Sequence, residues 1–145
     1  PPLRTPADAR ALIEGIKDGT IECLATDHAP HTDADKANGA PGVSNIEYDM
    51  QVYLKVFLEN GIPLTRLSEM ASLAPAKRLG LKAGLLLPGY PADVTILSVT
   101  EEAVIHRESM RSRSHNTPFD GWHVRGRIQT TIVEGEARYE NKKIG

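Results

Sequence analysis

A chain of 145 residues with 17 basic and 19 acidic side chains, formal charge -2, carries no electrostatic footprint for nucleic acid or an anionic membrane. Its length allows one domain with a real core but not a whole (β/α)8 barrel, which needs about 250 residues. No apolar run approaches the roughly 18 residues of a membrane span and no basic-then-apolar leader opens the chain, so it reads as soluble and cytoplasmic.

Thr5-Pro6-Ala7-Asp8 is a helix start: Thr5 can cap, Pro6 suits the first helical position and Asp8 favours the positive helix end. Ala9, Leu12, Ile13 and Ile16 follow at helical spacing, and Asp18-Gly19 closes the run. Ile21, Cys23, Leu24 and Ala25 then predict a short buried strand, about 21–26, ending abruptly at Asp27-His28-Ala29-Pro30-His31. Cys23, the single cysteine, is read there as a small core residue. In α/β proteins the residues just beyond a parallel strand face the crevice where sites lie. Asp27 at the strand tip is a metal ligand or proton acceptor by type, and Pro30 restricts the loop that presents His31. An Asp-His pair at a strand end also serves as a loop cap with a solvated ring, and residue types alone leave both readings open.

Residues 32–45 form a polar stretch without periodicity, where Gly39, Pro41 and Gly42 would let backbone approach a bound group; a plain surface excursion is the other reading. From about Ile46 to Asn60, Ile46, Met50, Tyr53, Leu54, Phe57 and Leu58 mark one face of a helix. A second helix is predicted to start near Thr65, and a third at Pro75 to end at Gly80, with Lys77-Arg78 solvated. After Lys82 the texture changes. Asp93 to Val99 reads as a strand and Val104-Ile105 as a weaker one. Residues 112–122 are irregular, and Ile128–Val133, Glu134-Gly135 and Glu136–Tyr139 predict a hairpin with a two-residue turn. The organisation is therefore a helical part, 1–83, around one strand, followed by a β-rich part, 84–145.

In order and spacing, Pro1-Pro2-Leu3-Arg4, Thr26-Asp27-His28-Ala29-Pro30-His31, Ala74-Pro75-Ala76-Lys77-Arg78-Leu79-Gly80-Leu81, Pro88-Gly89-Tyr90-Pro91-Ala92-Asp93 and Ser114-His115-Asn116-Thr117-Pro118-Phe119 resemble the C-terminal part of the bacterial-type dihydroorotase family, within the amidohydrolase superfamily. The resemblance covers essentially the whole chain. Its most specific element is the histidine four residues after the aspartate; the Pro-Gly-x-x-Ala-Asp segment is common to many relatives.

The resemblance implies an α/β fold class: the C-terminal part of a metal-dependent (β/α)8 barrel plus part of a small β-sandwich domain. It implies reversible, zinc-dependent hydrolysis of L-dihydroorotate to N-carbamoyl-L-aspartate. By position, Asp27 resembles a zinc ligand and the general base, His31 a contact to the substrate carboxylate, and Pro41-Gly42 the backbone that touches the ring. His28 matches the motif and is assigned no catalytic role. The family's histidine ligands would lie upstream of residue 1. One carboxylate cannot hold a catalytic zinc that takes three protein ligands and water, so the chain alone is expected to be inactive. The partners implied are the small-molecule substrate, the N-terminal part of the same enzyme and further copies in a homo-oligomer. The rival reading is a non-catalytic dihydroorotase-like subunit that scaffolds aspartate transcarbamoylase. A hydantoin- or dihydropyrimidine-cleaving relative is disfavoured by His31.

Overall fold

The structure, a computed structural model, describes residues 4–141, so the Pro1-Pro2-Leu3 motif lies outside the described residues. Helix α1, Pro6–Asp18, starts as the sequence predicts. The Thr5 hydroxyl accepts the Asp8 N–H and the Asp8 carboxylate takes the Thr5 N–H at 2.9 Å, satisfying two donors that the first turn leaves orphaned. Gly19, at φ 90°, ends the helix in the left-handed conformation. Of the apolar set, Ile16 is buried and Ile13 half-buried, whereas Leu12 is exposed.

The strand expected over 21–26 does not form: the segment makes no ladder among the described residues. A strand needs a neighbour, and here side chains stand in for one. Arg66 Nη2 donates to the Ile21 carbonyl at 2.8 Å, Tyr53 Oη to Ala25 at 3.0 Å and Asn45 Nδ2 to Thr26. Cys23 is consequently half-buried rather than a core residue.

Residues 32–45 are not wholly irregular, because Thr32 and Asp35 form a second reciprocal cap that starts the short helix α2, Asp33–Ala37. Helix α3, Asp49–Glu59, begins three residues later than the apolar pattern suggests, which leaves Ile46 outside it and exposed; Leu58, within the helix, is also exposed. Its Leu54 and Phe57 join Ile16, Ile62, Leu67 and Met70 in one core, against which Leu97 of the sheet packs. Val52, on the same helix, lies with Ile105 and Val124 in a second. Thus α3 connects the helical part to the β-rich part.

The two helices expected near Thr65 and Pro75 are one continuous run: α4, Leu64–Ser68, a π-helical turn over Glu69–Leu73, and α5, Ala74–Arg78. Proline explains the wide turn. The Ala74 N–H bonds back five residues to Glu69, and the next donor would be that of Pro75, which has none. The Met70 carbonyl is thereby left for a partner outside the helix, and the Leu24 N–H takes it at 3.1 Å. Arg66 reinforces this junction, donating also to the Ile16 carbonyl at 3.2 Å and pairing with Glu69 at 2.7 Å.

The β-rich part is an antiparallel three-stranded sheet in the order β1-β2-β3, with β1 Val94–Val104, β2 His123–Val133 and β3 Glu136–Glu140. The two predicted strands Asp93–Val99 and Val104-Ile105 are one strand interrupted by a bulge between Ser98 and Glu102. The Ser98 hydroxyl stabilises it by accepting the Glu101 N–H at 3.2 Å. The hairpin forms as expected, with Glu134 at φ 53° and Gly135 at φ 82°, the two positive values that a tight primed turn requires.

Candidate active site

Asp27 is exposed and has φ 47°, a left-handed conformation unusual for a residue with a side chain. Its carboxylate makes no hydrogen bond or ion pair among the described residues. The reversal at Asp27 sets His28 against the returning chain. His28 pairs with Val43 in an isolated parallel bridge, Ala29 N–H donates to the Val43 carbonyl at 2.9 Å, and the His28 ring Nδ1 accepts the N–H of Asn45 at 3.1 Å and of Ile46 at 3.4 Å.

The same arrangement brings His31 and Gly42 together. A Cβ built on Gly42, at φ 107°, would lie 2.8 Å from both the Ala29 Cβ and carbonyl oxygen and 3.3 Å from His31 Cδ2, so only glycine fits. Its carbonyl is held at 2.9 Å by Lys36 Nζ, which also takes the Ala40 carbonyl at 2.6 Å. From the β-rich part, Asn116 Nδ2 donates to the Gly42 carbonyl at 3.3 Å, and the Asn116 carbonyl accepts the Ser44 N–H at 2.7 Å. His31 borders a shallow depression with Asp35, Asn38, Gly39 and Ala40, while Pro41 is exposed beside it. The side-chain hydrogen bond from Thr32 holds the Asp35 carboxyl below its usual range.

Behind the site, Asp49 is buried at the first turn of α3 with one carboxylate oxygen unpartnered. Burial pushes its pKa up to about 6. Burial, with the Asp49 charge second, raises the Tyr53 phenol to about 12 and so keeps the proton that bonds Ala25. Sequence reasoning gives Lys36 and Asp49 no role, and names His28 and Asn116 only as members of motifs without assigning either a function. The Thr32-x-x-Asp35 spacing, identical to Thr5-x-x-Asp8, is the signal that could have placed Lys36 on a helix beside the loop.

Among the described residues no group of three or more His, Cys, Asp or Glu is placed to hold a metal ion. The exposed, unpartnered Asp27 carboxylate suits one oxygen ligand of a shared centre; the described residues do not compose a zinc site by themselves.

The model of the amidohydrolase family matches residues 3–138. This chain belongs to the amidohydrolase family. It is 42% identical over 148 residues to a dihydroorotase of Thermoanaerobacter sp. (strain X514), covering 99% of this chain and 34% of that protein. To a dihydroorotase of Lactiplantibacillus plantarum it is 42% identical over 145 residues, with 96% and 34% covered. Among solved amidohydrolase-type structures it superposes on the L-hydantoinase (dihydropyrimidinase) from Arthrobacter aurescens with TM-score 0.91 at 29% identity, covering 99% of this chain and 34% of that one. On the dihydropyrimidinase from Brevibacillus agri NCHU1002 the TM-score is 0.90 at 25% identity, with 99% and 33% covered. The chain thus spans about a third of the length of the relatives it matches. The α/β fold class expected of a portion of an amidohydrolase barrel with a β-rich appendage agrees with these likenesses.

Proposed function

We propose that this chain is the C-terminal portion of a zinc-dependent dihydroorotase, which interconverts L-dihydroorotate and N-carbamoyl-L-aspartate in pyrimidine biosynthesis. The observation that carries the proposal is an exposed Asp27, held at φ 47° with no partner for its carboxylate among the described residues, four positions before a His31 packed against a glycine-only turn. The 42% identity to dihydroorotases supports the choice of substrate over the hydantoins named for the structural neighbours. Nothing in the site favours the aspartate transcarbamoylase scaffold, and the similar proteins are named as catalysts.

In the proposed reaction water adds to the ring amide carbonyl, the carbon–nitrogen bond breaks, and the oxygen of water enters the new carboxylate. Asp27 takes the proton of the water and delivers it to the departing nitrogen, so a single carboxylate serves as base and then acid. His31 donates to the substrate carboxylate and disfavours uncharged rings, which would leave its polar edge unmatched. The main chain at Pro41 and Gly42 lines the ring. When bound, zinc supplies an activated water and a polarised carbonyl, with Asp27 as one of its ligands. The remaining ligands belong to the N-terminal part of the enzyme. Under the same proposal residues 1–83 close the barrel, residues 84–145 contribute to the appended domain, and the enzyme is a cytoplasmic homo-oligomer. No helix among the described residues is long and apolar enough to cross a membrane.

Steady-state assay of the complete protein tests this. Asp27→Asn lowers kcat for dihydroorotate by about 10²–10⁴-fold, and His31→Ala raises KM. Full turnover by Asp27→Asn, or an unchanged KM in His31→Ala, refutes the corresponding role.

A further inference from the structure

The geometry points to His28 as the positioning residue that sets the 40–46 loop against the chain reversal at Asp27. Its main chain and its side chain grip the same returning segment. The backbone bridges Val43 while Nδ1 receives two successive N–H groups, from Asn45 and Ile46. A ring nitrogen that accepts these bonds is unprotonated, and the imidazole proton is then on Nε2. His28 therefore has neither a free lone pair for a metal ion nor a free acceptor for a reacting proton, which separates it from its neighbours Asp27 and His31. Its ring replaces the ladder that an unpaired loop lacks. Without it, Val43 to Ile46 would be held by the Asn116 and Ala29 main-chain bonds and by Asn45 on Thr26. The loop it fixes contains Gly42, whose contact with His31 orders the proposed substrate pocket.

The substrate in this inference rests on the dihydroorotase reading; the grip of His28 on the loop does not. The test uses the complete protein and the variants His28→Ala and His28→Asn, the amide oxygen of Asn standing near where Nδ1 lies. Hydrogen–deuterium exchange is measured over residues 43–47, and KM and kcat are measured with L-dihydroorotate. His28→Ala speeds exchange there by about tenfold and raises KM by a similar factor, with a smaller change in kcat; His28→Asn restores both to within about threefold. Where a variant does not fold, the ¹⁵N resonance of His28 in the unmutated protein decides: an unprotonated Nδ1 supports the assignment and a protonated one overturns it. Exchange over 43–47 that is unchanged in His28→Ala, or as fast in His28→Asn as in His28→Ala, also overturns it. If the unmutated protein does not turn over dihydroorotate, the substrate reading falls, and the exchange and ¹⁵N results still decide the role of His28.

Discussion

Replacing Gly42 with alanine puts the packing of the site under direct strain. At φ 107° an L-residue is held in a conformation it rarely adopts, and the new methyl would sit 2.8 Å from the Ala29 Cβ and 2.8 Å from the Ala29 oxygen. The strained backbone costs about 1–3 kcal/mol and the overpacking a further ~1–3 kcal/mol. The overlap is with main chain, which cannot swing aside as the end of a flexible side chain does. The cheaper relief is for the loop to lift, taking the Gly42 carbonyl away from Lys36 and Asn116 and releasing His31, which lies 3.3 Å from the new atom. Most of the strain is then spent locally. Global stability of the complete protein falls by less than the sum, while, under the proposed function, KM for dihydroorotate rises by about 10- to 100-fold. Steady-state kinetics, with hydrogen exchange over residues 40–46, read both effects. A KM within twofold of the parent together with an unchanged exchange profile would refute the packing argument.

Three further outcomes are expected. Asp49 has its folded pKa raised from 3.8 to about 6, so the folded state holds the extra proton between these values and its contribution to stability is lost as pH rises from about 4 to about 6. Asp49→Asn matches the parent near pH 4 and exceeds it above pH 6 by up to about 3 kcal/mol in urea titrations; equal pH dependence of the two proteins would count against it. Gly126, at φ 97°, lies under helix α3, where an added Cβ would meet Leu54 Cδ1 at 2.7 Å and the Ser98 oxygen at 3.2 Å. Gly126→Ala therefore lowers the thermal midpoint, with a cost of about 2–4 kcal/mol. Arg66→Ala strips donors from the Ile16 and Ile21 carbonyls and destabilises by about 2 kcal/mol. Lysine does not rescue it in the same unfolding assay, because one ammonium cannot reach three acceptors in a fork.

What could be read from the sequence is what neighbouring residues decide between themselves. The Thr5–Asp8 cap, the left-handed stop at Gly19 and the Glu134-Gly135 turn each need only a few adjacent side chains, and each formed as expected. The 21–26 segment has the apolar composition of a short buried strand, but a strand is a relation between two segments, and this one meets Arg66, Tyr53 and Asn45 in place of a ladder. The π-helical turn was hidden for a related reason. Pro75 announces a break, yet whether the chain ends a helix there or widens it depends on a donor for the Met70 carbonyl, and that donor, Leu24, lies 46 positions earlier.

The candidate site divides along the same line. The Asp27-x-x-x-His31 spacing is visible because one restricted loop carries both residues, whereas the forces that orient the loop come from Lys36, from Asn116 in the β-rich part, and from His28 reaching forward to Asn45 and Ile46. Asn116 matters most for the whole, since it holds the Gly42 turn through both its side chain and its main chain. The β-rich part is therefore in hydrogen-bonded contact with the proposed substrate loop, and a disturbance of residues 114–117 is transmitted to Gly42 and His31 without altering a residue placed in the chemistry. Loss of the Asn116 side chain should consequently raise KM more than it lowers kcat, the same signature proposed for His28, because both act on where the loop lies rather than on the proton transfer proposed for Asp27.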